Sequence, residues 1–117
     1  MDMPQEIEVW YVIPAIRRGL ASALLKKGLT QKKIAEMLEV TEPAVSQYLK
    51  SKRAKKVSFD RKIIMEIRDS AERIIRHPEG VMAEIQRICL MVKKTGLLCR
   101  LHTRLGAAPK QCEVCIK

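Results

Sequence analysis

At 117 residues and a formal net charge of +10, the chain is long enough to bury one core without disulfides and basic enough to attract polyanions. Its hydrophobic content of 47% is almost wholly aliphatic, with aromatic residues at 3%; together with abundant Lys, Arg and Glu this favours helices over strands. No apolar run approaches a membrane span, and the acidic opening MDMPQEIEVW lacks the basic start of a signal peptide. The expectation is a cytoplasmic protein with nucleic acid as its first candidate partner and an anionic membrane surface as the second.

Residues 6–13, EIEVWYVI, fit a helical turn or an extended segment equally well. Pro14 reads as the first-turn residue of a helix or as a kink within a longer one. Ile16, Leu20, Ala23, Leu24 and Leu25 then recur at helical spacing. Arg17, Arg18, Lys26 and Lys27 lie off that stripe, and Gly28 ends the helix. Thr30 is placed to cap a helix over 31–38 that buries Ile34, Ala35 and Leu38. After the turn Glu39-Val40, Thr41 caps a further helix reaching Leu49 or Lys50, with Glu42 and Pro43 in its favoured first turn.

Residues 51–57, SKRAKKV, form a basic connector. Ser58 or Asp60 is the candidate cap of a fourth helix ending near Arg76, with Ile63, Ile64, Ile67, Ala71, Ile74 and Ile75 as its stripe. His77-Pro78 interrupts the chain, His77 reading as a capping or surface residue. A fifth helix is expected from Glu79 to Lys94, with Val81, Met82, Ile85, Ile88, Cys89 and Val92 on one face and Gly96 as its stop. Met65, Met82 and Met91 fit core or dimer packing better than ligation. The remaining residues show little helical period and need something to hold them.

Two helices joined by a turn of three or four residues must cross closely, and Ala35 is the small residue that allows it. Ile34, Leu38, Val40, Val45 and Tyr48 or Leu49 form the apolar set that fixes the crossing, with the Tyr48 ring inside and its hydroxyl at the surface. The second helix then projects Glu42, Ala44, Ser46, Gln47 and Lys50 outward. An ordinary helical hairpin would show the same apolar pattern. The cations Lys50, Lys52, Arg53, Lys55 and Lys56 directly after it favour a nucleic-acid interface, because they fall where backbone phosphates would lie.

The segment LTQKKIAEMLEVTEPAVSQYLKSKR resembles the helix-turn-helix of the Xre/Cro/C1 repressor family, over roughly residues 13–60. The resemblance implies that Gln31 touches a phosphate and that Glu42, Pro43, Ala44, Ser46 and Gln47 face base edges. It further implies that Lys50, Lys52 and Arg53 grip the backbone, with Thr41 at the start of the reading helix. The chain departs from the family at two positions. Glu39 stands where the turn usually has Gly, at a cost of about 1 kcal/mol if its backbone is left-handed. Pro43 stands where a polar reader is common, which leaves Ser46 and Gln47 as the direct readers; Gln47 suits a bidentate contact with adenine.

All four cysteines fall late in the chain, at Cys89, Cys99, Cys112 and Cys115. A secreted disulfide framework would spread them, so their clustering points to metal or redox chemistry. Cys112-x-x-Cys115 lets two sulfurs converge on one centre, and four thiolates complete a tetrahedral zinc site or an iron–sulfur cluster. Only one such knuckle is present, and the irregular spacing of the other two cysteines suits a cluster, which is larger than one ion. His102 is an alternative ligand, better read as a surface or outer-sphere residue where four cysteines suffice. The segments VWYVIPAIRRGLA, GLLCRLH and CEVC also make the chain similar to small archaeal Xre-type regulators with a cysteine-bearing extension, a resemblance that implies an iron–sulfur centre.

The sequence therefore predicts an all-α protein. Residues 1–56 form an N-terminal helix-turn-helix bundle, and residues 57–117 form two helices and a cysteine-ligated tail for dimerisation and sensing. The expected function is a homodimeric regulator of transcription that binds double-stranded DNA and carries a [4Fe–4S] cluster. A purely structural zinc site built from the four cysteines is the first alternative, and an iron–sulfur electron carrier or assembly factor the second. The low aromatic content argues against an RNA-binding module. No nucleophile beside a base and no phosphate loop point to an enzyme.

Overall fold

The computed structural model describes residues 4–55 and 57–97. These residues are helical with no strand among them, as the composition favours. The ambiguous lead-in is helical: α1 (Pro4–Ile7) runs through a π-helical turn (Glu8–Val12) into α2 (Ile13–Lys26). Pro14 accounts for the widened turn. It has no N–H for the Trp10 carbonyl, and its ring crowds that oxygen; the chain relieves this with an i→i−5 bond from the Ile13 N–H to the Glu8 carbonyl.

α3 (Gln31–Leu38) and α4 (Glu42–Lys50) follow, each capped as expected. Thr30 Oγ1 accepts from Lys33 N at 3.1 Å, and Thr41 Oγ1 accepts from Ala44 N at 3.2 Å. α2 and α3 end in the same way. Leu29 N donates to the Leu24 carbonyl and Gly28 N to that of Leu25, while Val40 N donates to the Ala35 carbonyl and Glu39 N to that of Glu36. Both are Schellman closures, which need a left-handed residue. Gly28 supplies it at φ 93°, whereas Glu39 is forced to φ 58° with a side chain in place.

The basic connector is more ordered than its charge implies. Ser51 Oγ accepts from Ala54 N at 3.1 Å and starts a short helix, α5 (Lys52–Lys55), whose Ala54 is buried together with Val57. Asp60, rather than Ser58, caps α6 (Arg61–Arg76), accepting from Ile63 N at 2.9 Å. A 3-10 turn over Pro78–Gly80 then leads into α7 (Val81–Lys94), which starts two residues later than the sequence suggested. Glu79 falls in that tighter turn, where Pro78 and Gly80 both disfavour continuing an α-helix.

One core joins these helices, from Ile7, Ile16, Leu20 and Leu24 through Ile34 and Val45 to Ile63, Ile74, Ile88 and Val92. α2 packs against α3, α4, α5, α6 and α7 alike. Its approach to α6 is close: a Cβ on Gly19 would lie 3.1 Å from Ile67 Cγ2. The expected stripes of α6 and α7 are only partly inside. Ile64, Ile75 and Met82 are exposed, as is Met65, while Met91 is half-buried. Their positions on the wheel carry them past the edge of the buried arc.

α6 and α7 are also joined by charge. Ser70, fully buried, donates to Glu84 Oε1 at 2.6 Å and accepts from Arg87 Nη2 at 2.9 Å. The same carboxylate oxygen receives Arg73 and Arg87, and Arg87 reaches Glu66 at 2.6 Å. Burial alone would raise the Glu84 carboxyl from its ordinary 4.5, but the hydrogen bonds from Arg73, Ser70 and Arg87 outweigh it and hold it at about 2.

Two outcomes are expected. Because Glu84 is depressed in the folded state, its contribution is complete above about 4.5 and is lost as pH falls towards about 2. Glu84→Gln should therefore cost about 2 kcal/mol at neutral pH and flatten the acid limb of a urea-stability profile; an unchanged acid limb would refute the clamp. Glu39→Gly should raise stability by up to about 1 kcal/mol, seen as a higher urea midpoint with an unchanged slope. A loss of stability would show that the Glu39 side chain does more than tolerate the turn.

Candidate nucleic-acid interface

Val45 is fully buried and seats α4 against the core, so the opposite face must point outward. Pro43, Gln47 and Lys50 are exposed on that face, Ala44 and Ser46 are half-buried along its borders, and Glu42 is exposed in the first turn, nearer the side of Val45. Of the sequence-predicted readers, Pro43, Ala44, Ser46 and Gln47 therefore share one surface. Thr41 is exposed too; its oxygen accepts from the Ala44 N–H, and its hydroxyl hydrogen remains to donate to an outside acceptor. Gln31 is exposed as the first residue of α3, where helical N–H groups and the positive end of the dipole favour an anion. Lys52 and Arg53 open α5, directly after α4.

Charge is unevenly placed around this surface. Glu36, Glu39 and Glu42 are exposed around the turn, whereas Lys32 and Lys33 stand at the start of α3 and Lys50 and Lys55 near the end of α4. Lys33 shares its charge with Glu36 at 3.8 Å. A polyanion is attracted to the two ends and repelled from the turn, which favours two strands of phosphate flanking a central reading face.

Two side chains off the apolar stripe of α2 hold α4 in place. Arg17 Nη1 donates to the Tyr48 hydroxyl at 3.0 Å, with its guanidinium 5.6 Å from the ring centre. Arg18 Nε donates to the Leu49 carbonyl at 3.4 Å, placing a cation at the negative end of α4. Tyr48 is half-buried, and its hydroxyl meets Arg17 rather than solvent alone. Sequence reasoning gave neither arginine a role; the signal for this pair was the placement of two arginines on a helix that must lie beside α4.

A further wall comes from outside the helix pair. The π turn brings Val9 and Trp10 alongside the end of α4, where they line a cleft of about 640 Å3 with Ser46, Gln47 and Lys50. Both are exposed, Val9 at 56% and Trp10 at 43%.

Of the cysteines, the described residues include Cys89 alone, on the buried side of α7. Burial, followed by the nearby Glu8 carboxylate, pushes its thiol up to about 11, which favours the protonated form over a thiolate. Cys99, Cys112, Cys115 and His102 lie outside the described residues. Among the described residues no three His, Cys, Asp or Glu side chains come together as a metal site would require. None of their helices is long and apolar enough to cross a membrane.

Compared with known proteins, residues 20–59 match a helix-turn-helix family. The match covers the second half of α2 together with α3, α4 and α5, about a third of the chain. No curated protein and no solved structure gives a match. The π turn, α6 and α7 fall outside the matched segment. Within it, the capped helix pair, the left-handed turn at Glu39 and the outward polar face of α4 agree with a helix-turn-helix match over residues 20–59.

Proposed function

We propose that the protein is a sequence-specific transcriptional regulator that reads double-stranded DNA through the outward face of α4. The observation that carries this reading is the convergence of Ser46, Gln47 and Lys50 on one exposed face of a helix-turn-helix whose inner face is locked. A helix of this diameter fits the major groove, where each base pair presents a distinct pattern of donors and acceptors. Gln47 reads an adenine edge, Ser46 supports it, and Lys50, Lys52 and Arg53 meet phosphates.

Selection from a random duplex library gives the site on which this is tested. Gln47→Ala should cost about 1–3 kcal/mol on that site and relax preference at one position. Lys50→Ala should weaken binding to every sequence and lower the salt slope by about one. Unchanged affinity and preference in Gln47→Ala would rule out α4 as the reader.

A single helix-turn-helix covers a half-site, so the reading includes a homodimer. The support lies in α6 and α7, whose Ile64, Met65, Met82 and Leu90 are exposed; side chains of this size on two adjacent helices suit burial against a second copy.

The reading also retains Cys89, Cys99, Cys112 and Cys115 as ligands of one [4Fe–4S] cluster, with zinc as the competing occupant. The support is the spacing in the sequence and the late position of all four cysteines. Cys89 fits only in part, since its surroundings favour the thiol and a bound metal would have to displace the proton. When bound, a cluster would supply a one-electron, oxidant-sensitive centre. The role of this chain would be to hold one ligand on α7, a helix tied to α6 through Arg87 and Glu84. Iron, sulfide and zinc analysis of anaerobically prepared protein should find about four irons per chain. Stoichiometric zinc without sulfide would replace the cluster with a structural site, and the absence of all three would remove the metal reading.

A further inference from the structure

We infer that the cleft between the π turn and α4 is a second DNA contact, in which Val9 and Trp10 pack against the sugar–phosphate backbone of the strand bordering the base-reading face. The inference rests on the reading of α4 given above, and extends the interface beyond the matched domain to residues that precede it. The first support is shared walls. Ser46, Gln47 and Lys50 line this cleft as well as the reading face, so a duplex that engages them also reaches the mouth of the cleft. A protein partner seated there would block the readers.

The second support is chemical. The cleft contains Lys50 and the hydroxyls of Ser46 and Ser51, with Val9, Trp10 and Pro14 opposite, and no carboxylate. A cation and hydroxyls facing an apolar wall match a deoxyribose–phosphate unit, which has an anionic edge and an apolar ring face. The third support is the helix geometry. Pro14 imposes the widened turn immediately beside α4, and Val9 and Trp10 are left exposed there while their neighbours Ile7, Tyr11 and Val12 are buried. Widened turns of this kind recur at functional sites.

Trp10 is the only tryptophan in the chain, so its fluorescence reports on this cleft alone. Titration of the full chain with its selected duplex should quench or shift the emission at the same stoichiometry as binding measured from labelled DNA. Trp10→Ala should weaken binding roughly tenfold, from the loss of about half an indole of buried surface, and Trp10→Phe should recover most of it. Val9→Asp places a negative charge on an exposed lip, leaves the core untouched and should weaken binding by a similar factor; unchanged thermal melting would confirm that both variants fold.

The inference is overturned if the duplex binds in a Gln47-dependent manner while Trp10 emission stays constant and Trp10→Ala and Val9→Asp bind as the wild type does; the reading of α4 would then stand alone. It is also overturned if Trp10 emission shifts on dilution without DNA, since a second copy would then be covering the cleft. If Gln47→Ala and Lys50→Ala leave DNA binding unchanged, the reading of α4 fails and this contact fails with it.

Discussion

α2 is the element against which the rest of the described structure is placed. It packs on α3, α4, α5, α6 and α7, and its Ile16, Leu20 and Leu24 are fully buried. It also carries Arg17 and Arg18, which hold Tyr48 and the Leu49 carbonyl of α4. Val45 fixes which face of α4 is inside, and the two arginines fix how the far end of the helix lies. A reading helix needs both constraints, because its side chains must meet base edges to within a fraction of an ångström.

The same helix links α3, α4 and α5 to the helices that follow. Gly19 admits Ile67 of α6 at a distance that a Cβ would contest, and α6 is in turn clamped to α7 by the Ser70, Glu84, Arg87 and Glu66 cluster. Charge clusters of this kind add direction to a packing that apolar contacts alone leave free to slide. A displacement of α7 therefore has a continuous packed route to α4 through α6 and α2. In the proposed reading, that route would connect a ligand held by Cys89 to α4.

Much of this was legible in the sequence. Thr30 and Thr41 announce two helix starts, Gly28 announces a stop, and the spacing of Ile34, Ala35 and Val45 sets the crossing. Each is a local signal with a local cause. The left-handed turn at Glu39 was legible as well, since the helix pair needs that conformation whichever residue occupies it. What escaped was long-range. Residues 6–13 have no single period because Pro14 widens the turn before it, so neither a helical nor an extended template fits. Residues 51–55 read as a charged linker until Ser51 is seen capping them and Ala54 is seen buried. Arg17 and Arg18 look like solvated charge along α2, and only the proximity of Tyr48 and Leu49 gives them a task. Ile64, Ile75 and Met82 show the converse: apolar residues at helical spacing that the core does not reach. Of the four cysteines, Cys89 alone lies among the described residues, and its burial is the one structural fact that bears on them.

The role proposed for α4 depends on which face of the molecule meets the groove. Photocrosslinking of the full chain to its selected duplex, with 5-iododeoxyuridine placed at successive thymines and the joined peptides identified by mass spectrometry, tests this directly. The account predicts crosslinks within residues 42–50 for thymines inside the half-site. Crosslinks confined to α6 and α7, with none on α4, would contradict it.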